Sequence, residues 1–328
     1  MTATITRYTQ QGLEVAAAEF DTSILAGTKS PNTIGQYKMH FAAYCKFAGL
    51  FGVAMQPSTL ARWRQSLYED GYSASNGTVN PYSVAAINQR LAAVRGVVTE
   101  AAQQGFISHE LAEQFKHVKG LKQVANKDRR KAASRTVISK TDMQRMVDAP
   151  DIATPAGMMH RALLLTLATC GMRISEAVNL KVSDIQHQSN DGGSGWVAFV
   201  LGKNMTDPEA RPLGKQAREA IRTWLQARAG LGVQSECIFT GFGGRGSRQP
   251  SAQAINRVSA WEIVQRYAKA CDLVHIKPHD FRRYVGTQLA KKDIRLAQKQ
   301  LGHKRIETTA SHYVLDVVAL GTTDELIG

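Results

Sequence analysis

The chain has 328 residues, 43% of them hydrophobic, and its 41 Lys and Arg outnumber its 27 Asp and Glu to give a formal net charge of +14. This length and composition predict a soluble globular protein of two domains. They exclude a membrane-spanning protein, because no apolar run is long enough to cross a bilayer, and the first residues lack the pattern of a signal peptide. The positive charge predicts a polyanionic partner, most often nucleic acid, with an ordinary basic enzyme as the alternative.

The four cysteines are scattered along the chain without a C-x-x-C pair. This spacing argues against a disulfide framework and against a zinc site, and it favours a reducing cytosol. No cluster of Asp and Glu marks a two-metal nuclease. We therefore expect a cytoplasmic protein without a metal site.

Residues 1–115 are predicted to form a small helical domain. A short helix is expected over 11–25, and apolar residues at three- and four-residue steps predict longer helices after it. Caps and helix breakers set the ends of these helices. The predicted helices cover 33–47, 57–67, 83–104 and 109–117, and a polar loop covers 71–82.

Residues 116–135 carry the most concentrated charge and are predicted to link two domains. They hold eight Lys and Arg against one acidic residue, whereas residues 1–115 hold eight of each and residues 136–328 hold 25 basic and 18 acidic. A basic segment along a phosphate backbone gains affinity by releasing counterions; the alternative is a solvated surface segment. We expect DNA contacts from Lys127, Arg129, Arg130 and Lys131.

Residues 136–328 are predicted to form a larger domain, mainly α with a small antiparallel β-sheet. A helix over 160–169 is almost entirely apolar, and Gly171 ends it just before Arg173. Alternation and turn residues predict a strand-rich insert. The predicted helices cover 143–149, 155–169, 214–229 and 252–271, and the predicted strands cover 182–187, 196–201 and 210–213.

The C-terminal part contains groups that can hold and attack a phosphodiester. Residues 278–283 read P-H-D-F-R-R, residues 301–303 read L-G-H, and residues 311–313 read S-H-Y. Arg173 and Arg282 carry guanidiniums whose planar fork matches a phosphate. Tyr313 is a candidate nucleophile that needs help to lose its proton, since its unperturbed pKa is about 10.

Four further residues are candidates for the remaining roles. His279 and His303 can hydrogen-bond to phosphate oxygens or assist with the tyrosine proton. Lys203, at a predicted hairpin, can protonate the leaving 5′-oxygen if neighbouring arginines lower its pKa, although a hairpin lysine is more often simply solvated. Glu176 lies one helical turn after Arg173 and can pair with it.

The order of G-M-R-I-S-E at 171–176, G-K at 202–203, P-H-D-F-R at 278–282, L-G-H at 301–303 and a late tyrosine resembles the tyrosine recombinase (phage integrase) family. The resemblance covers the second domain. It implies a helical core-binding (SAM-like) domain over 1–115, a basic linker over 116–135, and an α+β catalytic domain over 136–328 that includes a C-terminal tail. It also implies catalytic roles for Arg173, Lys203, His279, Arg282, His303 and Tyr313, with Glu176 supporting the site.

By this resemblance, Tyr313 attacks the scissile phosphate, forms a 3′-phosphotyrosyl link and releases a 5′-hydroxyl, so that neither a nucleotide cofactor nor a metal is needed. The partner is double-stranded DNA with inverted repeats, recombined through a Holliday junction by a homotetramer on two sites, with or without an accessory protein. The apolar tail over 314–328 is expected to dock on a neighbouring protomer or on its own domain. We expect no separate arm-binding domain before residue 30.

Two departures from the family pattern concern the site. The tyrosine follows the L-G-H histidine by ten residues where the family usually has nine, so His312 occupies the expected position; a shift of one residue on a helix turns a side chain by about 100°. Arg283 stands where the family often has a second histidine, and it is expected to alter the hydrogen bonds of Arg282 or to contact a phosphate. The alternatives are a type IB topoisomerase-like enzyme and a DNA-binding protein that has lost catalysis.

Overall fold

The computed structural model describes residues 22–74, 76–122, 137–190, 193–202, 205–243 and 249–313. The chain divides into two compact units, Met1–Ser134 and Arg135–Gly328. Within the described ranges, no helix is both long and apolar enough to cross a membrane. The short helix predicted over 11–25 is described only at its end, where Thr22–Leu25 forms a 3₁₀ turn.

The first unit is helical, as predicted. Serine side chains at positions 30, 83 and 108 accept hydrogen bonds from backbone N–H groups of the first turns, which is why three helices begin where the sequence indicates. The buried core includes Phe41, Tyr44 and Trp63, and the Tyr44 hydroxyl donates to the carbonyl of Ala54 at 2.6 Å. The helices are α1 Pro31–Ala48, α2 Phe51–Ala54, α3 Pro57–Glu69, α4 Val84–Gln103 and α5 His109–His117.

The prediction of a plain loop over 71–82 was wrong. Two short strands, β1 Tyr72–Ser73 and β2 Val79–Asn80, pair antiparallel there. Gly71 permits the pairing because it adopts a φ of 67°, and a Cβ at this position would lie 3.0 Å from the carbonyl carbon of Asn80. The polar sequence does not predict this hairpin, because neither strand has a buried apolar face.

The second unit combines eight described helices with two small antiparallel sheets, which confirms the predicted mainly α composition with antiparallel β-strands. Strands β3, β4 and β5 pair in that order, and β6 pairs with β7. The helices are α6 Lys140–Asp148, α7 Pro155–Cys170, α8 Ile174–Val178, α9 Lys215–Gly230, α10 Arg257–Ala270, α11 Pro278–Ala290, α12 Ile294–Leu301 and α13 Ile306–Tyr313; the strands are β3 Ile185–Asn190, β4 Gly193–Val200, β5 Glu209–Pro212, β6 Thr240–Phe242 and β7 Pro250–Ala254.

Two predicted boundaries in this unit were wrong. The helix predicted over 252–271 begins only at Arg257, because the preceding residues form β7 and Asn256 caps the helix by accepting a hydrogen bond from the N–H of Ser259 at 2.8 Å. The strand predicted over 182–187 begins with a 3₁₀ turn, Val182–Asp184, so that β3 starts at Ile185. Pairing with β6 accounts for the first difference, and the N–H of Lys181, which donates to Oδ2 of Asp184 at 2.8 Å, closes the 3₁₀ turn in the second.

The buried helix α7 is the element on which the site is built. It packs against α9 and α11, and Gly171 ends it in a left-handed conformation with a φ of 64°. A Cβ at Gly171 would lie 2.7 Å from Cδ2 of Leu301 and 3.1 Å from Cγ1 of Val285. The end of α7 therefore packs closely against α11, which contains the P-H-D-F-R motif, and against α12, which leads into the L-G-H motif.

Candidate active site

Arg173 is placed by the turn that follows α7. It is the N-cap residue of α8, and its backbone N–H donates to Oε2 of Glu176 at 2.8 Å. Its guanidinium Nη1 donates to Oε1 of the same carboxylate at 2.6 Å. The side chain of Glu176 is 5% exposed, whereas that of Arg173 is 39% exposed. The predicted pairing is confirmed, and the outer part of the guanidinium remains accessible to a ligand.

Arg211 is a second partner of Glu176, and the sequence reasoning missed it. It lies on β5 with no solvent exposure, and its Nη1 donates to Oε2 of Glu176 at 2.8 Å. Burial raises the pKa of the Glu176 carboxyl, but the charges and hydrogen bonds of Arg211 and Arg173 together hold it below its usual value. The sequence signal was an arginine at an inward-facing strand position, which needs a buried acidic partner.

Arg282 is held by backbone carbonyls from two other elements. It projects from α11 and is 1% exposed. Its Nη1 donates to the carbonyl of Gly171 at 2.9 Å, and its Nη2 donates to the carbonyl of Leu301 at 2.6 Å. Burial lowers the pKa of this guanidinium, and the nearby positive charge of Arg173 lowers it further. The hydrogen bond to Gly171 places the Arg282 guanidinium beside the turn that carries Arg173.

His303 bridges Arg282 and α13. Its Nε2 lies 2.9 Å from Nη2 of Arg282, and its Nδ1 lies 2.9 Å from Oγ1 of the buried Thr309. Because an arginine can only donate, Nε2 must accept, and the imidazole proton must lie on Nδ1 and be donated to Thr309. The structure thus defines a neutral tautomer of His303. Thr309 was not identified from the sequence.

Tyr313 lies within this cluster despite its ten-residue separation from His303. Its ring stacks on the His303 imidazole, with 5.4 Å between ring centroids and 23° between ring planes, and only 3% of the residue is exposed. The ring rests on Gly286 of α11, where a Cβ would lie 2.7 Å from its Cε1 and Cγ. Gly286 was not identified as part of the site from the sequence. The side chain of His312 lies outside the described residues.

His279 and Arg283 occupy the first turns of α11 beside Arg282. The residue His279 is exposed, yet partial burial of its imidazole lowers its pKa, and the charges of Arg283 and Arg282 add to that effect. Nη1 of Arg283 donates to Oδ1 of Asp280 at 3.0 Å. Arg283 therefore has a carboxylate partner, and its predicted DNA contact remains a prediction.

Several predicted residues lie outside the part of the chain that the structure describes. They are Lys203, the linker residues Lys127, Arg129, Arg130 and Lys131, and the tail over 314–328. The described residues contain no group of three or more His, Cys, Asp or Glu side chains arranged to hold a metal ion. What they bring together is two guanidiniums, a neutral imidazole and a phenol, a set suited to binding an oxyanion next to a nucleophile.

Sequence comparison identifies the class of protein to which this site belongs. The model of the phage integrase family matches residues 136–317, which is more than half of the chain. The chain therefore belongs to the phage integrase family of tyrosine recombinases.

Two curated relatives are tyrosine recombinases from bacteria. Tyrosine recombinase XerD of Neisseria meningitidis serogroup A is 31% identical over 196 residues, which cover 58% of this chain and 62% of XerD. Tyrosine recombinase XerC of Escherichia coli O1:K1 is 30% identical over 181 residues, which cover 55% of this chain and 56% of XerC. The chain thus aligns with less than two thirds of the length of each relative.

Solved structures share the fold over most of the chain. The Tn1549 transposon integrase in complex with transposon right end DNA has a TM-score of 0.60 at 15% identity and covers 94% of this chain and 98% of its own. A lambda integrase dimer bound to a COC′ core site has a TM-score of 0.57 at 15% identity, covering 89% of this chain and 92% of its own. At this identity the likeness concerns the fold alone.

Proposed function

We propose that the chain is a site-specific DNA recombinase that cuts and rejoins strands through Tyr313. The observation that carries the proposal is the stacking of Tyr313 on His303, whose Nε2 accepts from Arg282 at 2.9 Å. A potential nucleophile is thereby held beside a buried guanidinium. Membership of the tyrosine recombinase family supports the same chemistry.

In the proposed reaction, the Tyr313 oxygen attacks the scissile phosphorus and the bond from phosphorus to the 5′-oxygen breaks. Arg173 and Arg282 bind the nonbridging oxygens, whose negative charge increases in the transition state. His279 accepts the phenol proton, a role that its lowered pKa supports because it favours the neutral imidazole at pH 7. Lys203 protonates the departing 5′-oxygen, and a 5′-hydroxyl later reverses the step with the bond energy conserved.

The burial of Tyr313 implies that DNA binding must be accompanied by a local rearrangement. With 3% of the residue exposed, the phenol oxygen cannot reach a phosphate held by the exposed part of Arg173. In the same step Nη2 of Arg282 exchanges its hydrogen bond to Nε2 of His303 for one to a nonbridging phosphate oxygen, since both of these atoms accept. This movement restricts cleavage to the DNA-bound state.

The wider assembly is proposed from the family and the charge pattern. Residues 1–115 form the core-binding DNA-binding domain, residues 116–135 cross the phosphate backbone, and residues 136–328 form the catalytic domain. A homotetramer on two sites with inverted repeats exchanges strands through a Holliday junction, for integration, excision or resolution, with or without an accessory protein. We expect the protein to be encoded by a bacterium, phage or plasmid and to act on the nucleoid in the cytoplasm.

The test uses nicked suicide duplexes tiled across the DNA that flanks the gene. The parent chain should form a covalent adduct with one of them, and Tyr313→Phe should abolish the adduct while DNA binding persists. His312→Ala is the matched control and should retain the adduct. If His312→Ala abolished trapping and Tyr313→Phe did not, the nucleophile would be wrong. Binding without any adduct would favour a non-catalytic DNA-binding protein, and relaxation of plasmids lacking a specific site would favour a topoisomerase.

A further inference from the structure

Arg211 is a buried cation whose hydrogen bonds are incomplete. The side chain has no solvent exposure, and among the described residues its one ion pair joins Nη1 to Oε2 of Glu176 at 2.8 Å. Its Nε and Nη2 are buried without a hydrogen-bond partner among the described residues. Removing a guanidinium from water is costly, and one ion pair with two unpartnered nitrogens compensates poorly for that cost. Stability alone therefore does not explain an arginine at this position.

The charge arrangement around Glu176 suggests what Arg211 does. The carboxylate accepts three hydrogen bonds, two from Arg173 and one from Arg211. One negative charge thus lies between two guanidiniums. If Arg211 were absent, Glu176 and Arg173 would form a neutral pair, and Arg173 would offer a phosphate much less net charge. With Arg211 in place, the carboxylate still orients Arg173, and the group of Glu176 and its two arginines keeps one net positive charge. The carboxylate of Glu209 lies next to Gly302 and makes no hydrogen bond to this group among the described residues.

Arg211 also lies against the segment that carries His303. Gly302 ends α12 with a φ of 63°, and a Cβ there would lie 2.7 Å from Nη2 of Arg211 and 2.7 Å from Oε2 of Glu209. The neighbouring Gln300 ties the same strand to α12, because its Nε2 donates to the carbonyl of Pro212 at 3.2 Å. The Arg211 guanidinium therefore contacts both the Glu176–Arg173 pair and the backbone immediately before His303.

We propose that Arg211 is a positioning residue for DNA cleavage. It neutralises Glu176 so that the carboxylate orients Arg173 without cancelling its charge, and it sets the backbone of Gly302 that precedes His303. This inference rests on the proposed function. Arg211 itself is buried and does not touch the substrate, so its removal should affect the cleavage step rather than DNA binding.

The experiment measures single-turnover cleavage at saturating DNA, using the nicked duplex from the flanking DNA that traps the parent chain. Arg211→Met should lower the cleavage rate constant by about 10–100-fold, as expected when a catalytic group is misplaced by a fraction of an ångström to an ångström. The dissociation constant of the same duplex should stay unchanged. Arg211→Lys should recover the rate to within about tenfold of the parent, since a lysine retains the charge and can make the single hydrogen bond that Arg211 makes.

Arg228→Met is the matched control. Arg228 is also a buried arginine, 5% exposed, but its guanidinium donates only to carbonyls, including that of Ser235 at 2.9 Å. Its loss should reduce thermal stability and leave the cleavage rate constant of the folded protein at the parent value. A merely structural Arg211 would behave in the same way.

Each outcome of the experiment decides between these interpretations. Parent-like cleavage by folded Arg211→Met, or equal losses for the methionine and lysine variants, would overturn the inference. If Arg211→Met does not fold at the assay temperature, Arg211→Lys decides: a rate within about tenfold of the parent supports the role of the charge, and any larger loss refutes it. A parent chain that forms no adduct with any flanking duplex would instead overturn the proposed function.

Discussion

Gly286→Ala should displace the Tyr313 ring from its packing position against α11. Gly286 lies in the interior of this helix, and a Cβ there would approach three atoms of the Tyr313 ring, two of them at 2.7 Å. Real Cβ atoms essentially never come within 3.0 Å of another heavy atom in this way. A shift of the ring would disturb its stacking on His303, which has 5.4 Å between centroids. The added methyl group and the buried phenol therefore compete for one space.

The magnitude follows from two opposing terms. Alanine is favoured over glycine in a helix interior by about 0.8–1 kcal/mol. Overpacking a buried site costs about 1–3 kcal/mol, and contact with three ring atoms puts this case in the upper part of that range. The net loss of unfolding free energy should be about 1–2 kcal/mol, which corresponds to a fall in Tm of about 2–8 °C for a domain of this size.

Calorimetry and chemical labelling together test this prediction. Scanning calorimetry gives the Tm of the second unit, and nitration by tetranitromethane, read by mass spectrometry, reports the exposure of Tyr313. Gly286→Ala should melt earlier and nitrate faster at Tyr313. Gly230→Ala is the control: it lies at the end of α9 with nothing within 4 Å of its Cβ position, so it should leave Tyr313 shielded. A Gly286→Ala protein that melts no earlier than the parent and nitrates no faster would refute the packing argument.

Three further predictions concern charge and hydrogen bonding. Glu176→Gln should lower the unfolding free energy at pH 7 by about 3–5 kcal/mol, because it leaves the Arg211 charge buried and unpaired. The folded pKa of Glu176 is depressed, so the stabilisation by this carboxylate is present above its unfolded pKa of about 4.3 and is lost as the pH falls through the folded pKa. Urea unfolding should therefore show the stabilities of the parent and the variant converging below about pH 4. Thr309→Val removes the acceptor for Nδ1–H of His303 and should cost about 1–3 kcal/mol. Because Arg282 still donates to Nε2, nitrogen NMR should show the Nδ1–H tautomer in parent and variant, and an Nε2–H tautomer in the parent would contradict the assignment. The third prediction neutralises four linker side chains, Lys127, Arg129, Arg130 and Lys131. The slope of log K for DNA binding against log salt concentration should fall in magnitude by up to about 3–4, at about 0.9 per phosphate contact. An unchanged slope would show that these side chains do not contact DNA phosphates.

Local signals in the sequence accounted for most of the helices. The predicted range 109–117 coincides with α5 His109–His117, because a serine cap and an apolar stripe are encoded within a few neighbouring residues. The strands were harder to predict from the sequence. The strands Tyr72–Ser73, Val79–Asn80 and Pro250–Ala254 are short and do not alternate buried with exposed residues. The sequence therefore lacked the periodicity of a strand, and sequence reasoning assigned a loop and a helix to these segments.

The order of the motifs identified the family and nominated Arg173, Arg282, His303 and Tyr313, which the fold then brought together. Side-chain chemistry and spacing are properties of the sequence, so this part needed no coordinates. Only the tertiary structure showed that Arg211 shares Glu176 with Arg173, that Arg282 sets the tautomer of His303, and that Gly286 makes room for the phenol. Those residues matter through close approach between elements far apart in the chain, and distance in space is the one property that a linear order of residues does not contain.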